Sequence, residues 1–124
     1  MKITTFNPQI MAKDAGPIAE FFEELGFERI HNKQDFDEDV LGIRMKNEGG
    51  FALDISQTDK LPVPAVSAIR MNTDNFDEAY GILKKYGFEN FYGDKTVESS
   101  SSKSAVMLSP SKTVINLVEH IKNQ

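Results

Sequence analysis

Asp54 and Arg70 are the two charges in this chain whose neighbours point to work inside the fold. Asp54 stands in the apolar run Phe51-Ala52-Leu53-Asp54-Ile55, and Arg70 follows Val66-Ser67-Ala68-Ile69. A carboxylate in such a strand can accept hydrogen bonds or take a proton. A guanidinium there can hold a polar or anionic group through charge-assisted bonds. The rest of the chemical inventory is thin, with two histidines and no cysteine in 124 residues. Disulfides, thiolate nucleophiles and cysteine-based zinc sites are therefore excluded. His31 falls at the end of a predicted strand and reads as surface. His120 follows Glu119 with the parity of Asn116 and Val118, so a place on the rim of a site and an exposed terminal position both stay open. There is no Ser-His-Asp signature. Gly49-Gly50 lacks the strand–loop–helix context of a phosphate loop and reads as a hairpin turn. Any catalysis falls to carboxylates, lysines and tyrosines.

Strand alternation places these residues. One sheet face is expected to collect Asn7, Gln9, Met11, Ala52, Asp54, Ser56, Ala68, Arg70, Val114, Asn116 and Val118. That face is mixed and polar, unlike a face that packs helices. It suits a small molecule oriented by hydrogen bonds, with Arg70 as the positive charge and Asp54 as the acceptor. The competing reading is that Asp54 and Arg70 pair with each other and satisfy the amides around them. The predicted ligand-binding set is Asn7, Gln9, Asp54, Ser56, Arg70 and Asn116, with no metal and no cofactor. Phe36 and the pair Phe91-Tyr92, near predicted hairpin ends, are candidates to stack on a planar ligand.

The elements that position these residues come in two similar sets. Ile3 to Phe27 reads as strand, Asp14, amphipathic helix and Leu25-Gly26-Phe27-Glu28. Val66 to Phe88 reads as strand, Asp74, amphipathic helix and Tyr86-Gly87-Phe88-Glu89, with Gly87 lying 61 positions after Gly26. A repeat of half the chain length suggests two stacked modules that share one core. The expected modules are residues 1–60 and 65–124 of a single domain, joined by a stiff Leu61-Pro62-Val63-Pro64 linker.

In the first module Asp14 is expected to cap a helix with Pro17 in its first turn. Ile18, Phe21, Phe22 and Leu25 form its apolar stripe, and Gly26 its stop. Strands are expected at 3–12, 27–32, 39–46 and 51–56, with the acidic run from Asp35 to Asp39 as a turn. In the second module Asp74-Asn75 is a capping pair, with Glu78 three residues past Asn75, and Phe76, Ala79, Tyr80 and Leu83 form the stripe. Tyr80 and Tyr86 are expected to pack on the helix face. Strands are expected at 65–72, 88–92, 104–109 and 113–120, with Ser99 to Ser102 as a mobile hairpin loop. The order is strand, helix, three strands, twice.

Composition bounds the partners. The net charge is −5 with a pI near 5.0. That argues against nucleic acid, which needs clustered Lys and Arg. No apolar run approaches the ~20 residues of a transmembrane helix, and Met1-Lys2-Ile3-Thr4-Thr5-Phe6 lacks a signal-peptide core. The expectation is a cytoplasmic protein that avoids membranes.

The βαβββ–βαβββ order resembles the vicinal oxygen chelate superfamily of glyoxalase I, fosfomycin resistance enzymes, extradiol dioxygenases and bleomycin-binding proteins. The resemblance covers the whole chain. It rests on Asp14 with Ile18-Ala19-Glu20-Phe21-Phe22 and Leu25-Gly26-Phe27. It is echoed in Asp74-Asn75-Phe76-Asp77-Glu78-Ala79 with Gly87-Phe88. It closes in the stretch from Ser109 to Glu119, which is similar to an Asp-Pro-x-Gly-x-x-Ile-Glu-Leu ending.

The resemblance implies an α+β fold. Two βαβββ modules would form a cup-shaped, mostly antiparallel mixed sheet, with helices on the convex side and the ligand inside. It implies four metal-ligand positions, falling on Asn7, Asp54, Ala68 and Asn116. Only Asp54 is a usable ligand, because such a metal wants at least three imidazole or carboxylate donors. The non-metal branch is the better match. Three functions remain open. One is a homodimer that binds a small organic molecule. The second is a lyase, isomerase or thiol transferase acting on an oxygen-rich substrate with Asp54 as base. The third is a structural or regulatory dimer module.

Overall fold

A computed structural model describes residues 1–34, 41–59 and 65–121. The chain resolves into two compact units, Asn7–Ser67 and Met1–Phe6 with the chain from Ala68 onward. The expected linker at 61–64, the acidic turn at Asp35–Asp39 and Phe36 lie outside the described residues.

The unit Asn7–Ser67 is a mixed sheet with one helix. Its elements are β1 (Ile3–Ala12, whose first residues belong to the other unit), α1 (Gly16–Glu24), β2 (Glu28–Gln34), β3 (Leu41–Lys46) and β4 (Ala52–Gln57). The strands lie in the order β2-β3-β4-β1. β3 runs antiparallel to both β2 and β4, whereas β1 is parallel to β4 with Gln9 opposite Asp54 and Met11 opposite Ser56. The parallel pair requires a crossover, which α1 begins. The core is Ala15, Ala19, Ile43, Met45, Leu53 and Ile55, with Ile18, Phe22 and Phe27 packed against it.

Helix α1 is rotated from the expected stripe. Phe21 and Leu25 are each 58% exposed. The buried line is Ala15, Ile18, Ala19 and Phe22, which keeps the i, i+3, i+4, i+7 spacing. Bulk alone favours the phenylalanine and leucine, but the two alanines let the helix axis approach the sheet closely and so decide which face turns inward. Asp14 is not the cap residue. Ala15 holds that position, its N–H donating to Gln57 Oε1 at 3.0 Å, while Asp14 Oδ1 accepts from the Gly16 N–H at 3.1 Å.

The other unit repeats the arrangement with β5 (Ala65–Thr73), α2 (Phe76–Lys85), β6 (Glu89–Asn90), β7 (Val97–Glu98), β8 (Ser102–Leu108) and β9 (Val114–His120). The order is β5-β9-β8-β6, with β7 also on β8. β5 and β9 are parallel, and β8 is antiparallel to β9. Phe76, Ala79, Leu83, Ala105, Met107, Ile115 and Leu117 form its core, with Tyr80 and Phe88 beside it, so each unit packs its own helix on its own sheet where one shared core was expected. The expected stripe of α2 is therefore the buried one. Asn75 caps α2 as its spacing predicts, accepting from the Glu78 N–H at 3.1 Å. Residues 1–6 join this unit: the Lys2 N–H donates to Asp74 Oδ1 at 2.7 Å, and the Met1 ammonium lies 3.2 Å from Glu78.

The repeated Gly-Phe pairs are helix stops. Gly26 and Gly87 adopt φ of +96° and +93°. The Phe27 N–H donates to Phe22 O, and the Phe88 N–H to Leu83 O, each at 3.0 Å. Glycine reverses the chain, and the following phenylalanine returns to the core.

Three expectations about the second module need correction. The strand expected at 88–92 is only Glu89–Asn90, because Asn90 Oδ1 accepts from the Tyr92 N–H and bends the chain into a turn. A short extra strand, β7, pairs Val97 with Ser104. The serine tract joins antiparallel β7 and β8 as the hairpin loop expected of it, and Ser99 Oγ accepts from the N–H groups of Ser101 and Ser102 at 3.2 and 3.0 Å. Tyr86, expected on the helix face, is exposed.

Candidate functional site

In each unit the helix covers one face of the sheet, and alternation sends polar residues to the other. Leu53 and Ile55 of β4 face α1. Asp54 and Ser56 therefore face away, and parallel pairing with β1 brings Asn7 and Gln9 beside them. The contacts follow directly. Asn7 Nδ2 donates to Asp54 Oδ2 at 3.1 Å, and Gln9 Nε2 donates to Ser56 Oγ at 2.8 Å. Gln9 is only 2% exposed, and Asp54 and Ser56 are buried too.

Asp54 has a partner that the face assignment omitted. Arg44 Nε donates to Asp54 Oδ1 at 2.9 Å, with side-chain exposures of 36% for Arg44 and 9% for Asp54. Antiparallel register sets Arg44 directly opposite Asp54. The signal was legible: in Leu41-Gly42-Ile43-Arg44-Met45, Ile43 and Met45 go to the core, so Arg44 must go to the polar face. Both oxygens of Asp54 thus accept a hydrogen bond within its own unit.

The other unit has its own version. Ile69 and Met71 pack toward α2, so Ala68, Arg70 and Asn72 face away. Arg70 Nε donates to Asn72 Oδ1 at 3.2 Å. On β9, Asn116 is the register partner of Arg70. Asn72 and Ala68 are buried, and Arg70 is partly so. Asp54 and Arg70 each find a partner inside their own unit.

The structure thus groups Asn7, Gln9, Asp54 and Ser56 with Arg44 in one unit, and Arg70 and Asn116 with Asn72 in the other. Phe91 and Tyr92 form an exposed edge-to-face pair with ring centroids 5.1 Å apart. His120 is exposed at the end of β9.

The residues at the four implied metal positions do not fit a divalent ion. Ala68 has no donor atom. Asn7 turns its N–H toward Asp54, and the Asp54 carboxylate already faces a guanidinium. Among the described residues no three His, Cys, Asp or Glu side chains are grouped to hold a metal.

No family model matches the sequence, and no curated protein matches it. Solved structures do match in fold. The hypothetical protein BH1468 from Bacillus halodurans C-125 aligns over 100% of this chain and 98% of its own, with a TM-score of 0.67 and 12% identity. Methylmalonyl-CoA epimerase from Mycobacterium tuberculosis aligns over 94% and 88%, with a TM-score of 0.63 and 15% identity. A glyoxalase/bleomycin resistance protein/dioxygenase superfamily member from Vibrio splendidus 12B01 aligns over 95% and 99%, with a TM-score of 0.60 and 13% identity. The two βαβ units, each with a parallel strand pair and a glycine-stopped helix, give this chain the vicinal oxygen chelate fold of the glyoxalase and bleomycin resistance proteins.

Proposed function

We propose that this chain binds a small organic molecule on its polar sheet faces, without a metal, and acts by sequestering it in the cytoplasm. The observation that carries this reading is the polar face on which buried Gln9, Asp54 and Ser56 meet half-buried Asn7 and Arg44. A face serving only to pack would be apolar, because each buried polar group without a partner costs free energy. Here the groups are held in place by one another, which fixes donors and acceptors before a ligand arrives. Titration of ¹⁵N-labelled protein with small polar organic compounds tests the reading. Saturable shifts should centre on the amides of Asn7, Gln9, Asp54 and Ser56 in one unit, or on those of Arg70 and Asn116 in the other. Compounds that move only scattered surface amides would remove its basis.

A second reading is an isomerase of the same fold, with Asp54 as base. It is favoured by the several methylmalonyl-CoA epimerases among the structural neighbours, one of them solved with methylmalonyl-CoA. It requires Asp54 to release Arg44 before it takes a proton. Incorporation of solvent deuterium into methylmalonyl-CoA would support it, and none should occur under the first reading.

We further propose a homodimer. Phe21 and Leu25 on α1 are the kind of exposed apolar surface that pairing would cover. Light scattering that gave only the 13.9 kDa monomer would exclude it.

A further inference from the structure

We infer that Arg70 is the anion anchor of this protein, and that the bound molecule presents a carboxylate or similar planar oxyanion to it. The inference rests on the small-molecule reading above and adds the ligand's chemical class.

Each unit carries one arginine on its polar face, and each is tied by its Nε to an oxygen in that unit. Arg44 Nε meets Asp54 Oδ1 at 2.9 Å, and Arg70 Nε meets Asn72 Oδ1 at 3.2 Å. An Nε anchor fixes the plane of the guanidinium and leaves the four Nη hydrogens on its outer edge to be used. Among the described residues neither arginine makes another hydrogen bond or ion pair.

The two differ in charge. Arg44 is answered by a carboxylate, so that pair is neutral overall. Arg70 is answered by the uncharged amide of Asn72, which is itself buried. Among the described residues no carboxylate lies within ion-pair distance of Arg70. Among the described residues of its unit its charge is therefore unbalanced, its orientation is set and it is partly withdrawn from water. Those are the conditions under which a guanidinium binds a carboxylate through two parallel hydrogen bonds. Asn116, opposite Arg70 on β9, places an amide at the same level of the sheet.

The probe is malonate, with malonamide as its uncharged counterpart at matched ionic strength. The readout is the chemical shift of the Arg70, Asn72 and Asn116 amides. Malonate should bind saturably there, and malonamide should bind about tenfold more weakly or worse, the scale of a charge-assisted bond. Arg70→Gln should weaken malonate by about the same factor, and Arg70→Lys should recover part of it by keeping charge without the fork. Asn72→Asp should also weaken malonate, because it gives Arg70 the neutralising partner that Arg44 already has. That variant decides the matter if Arg70→Gln does not fold. Arg44→Gln should change malonate affinity less than Arg70→Gln does. Equal binding of malonate and malonamide would overturn the anchor while leaving the small-molecule reading standing. So would malonate affinity unchanged in Asn72→Asp, or no malonate binding at all.

Discussion

Replacing Arg44 by methionine keeps the aliphatic stem and removes the charge from a nearly buried carboxylate. Asp54 retains one partner, the Asn7 amide at 3.1 Å, and its side chain is 9% exposed. Removing one member of a fully buried pair costs about 3–5 kcal/mol, because the other is stranded. Breaking an exposed pair costs about 0.2–1 kcal/mol. Arg44 is 36% exposed, so water can reach the position it vacates, and the expected loss falls between these limits at about 2 kcal/mol. Asp54→Asn should cost less, about 1 kcal/mol, since the freed guanidinium can turn to solvent. The double variant should be more stable than the sum of the two losses predicts, with a coupling of about 1 kcal/mol. Urea unfolding followed by far-ultraviolet circular dichroism would measure all three, with constant slope as the check that the denatured state is unchanged. A loss below about 0.5 kcal/mol for Arg44→Met, with no coupling, would show that the pair is screened by water and does not organise the polar face.

The two helix stops make a matched comparison. At Gly26 an added Cβ meets nothing within 4 Å, so Gly26→Ala should cost only the strain of positive φ, about 1 kcal/mol. At Gly87 the same atom would also lie 3.1 Å from Pro110 Cγ, so Gly87→Ala should cost more by the same denaturation assay. Asn75→Ala removes the cap of α2 and should lower stability by about 1 kcal/mol, whereas Asn75→Asp should be nearly neutral by thermal melting.

Much of the fold was legible because its signals are local and periodic. The Gly-Phe pairs mark helix ends that only a residue at positive φ can make. The cap at Asn75 and the stripe of α2 follow from spacing alone. The polar face at Asn7, Gln9, Asp54 and Ser56 followed from alternation, since one residue of slip would have sent all four to the core. Other features depend on distant partners. The rotation of α1 is decided by how close Ala15 and Ala19 let it come to Met45 and Ile55, which no property of the helix alone reveals. The partner of Asp54 lay in β3, where the alternation of Ile43, Arg44 and Met45 points to it once the strand is placed beside β4. Strands as short as β6 and β7 carry no period to read.

The claim that matters most is recognition by side-chain hydrogen bonds with no bound metal. It is tested most directly by melting the protein over a titration with zinc, manganese, nickel or magnesium. Arg44 beside Asp54, and Ala68 where a ligand would be required, predict that the melting temperature does not move. A saturable rise near one equivalent of any of these ions would contradict the account; a specific site stabilises the native state by about 2.7 kcal/mol at a hundredfold excess over its dissociation constant.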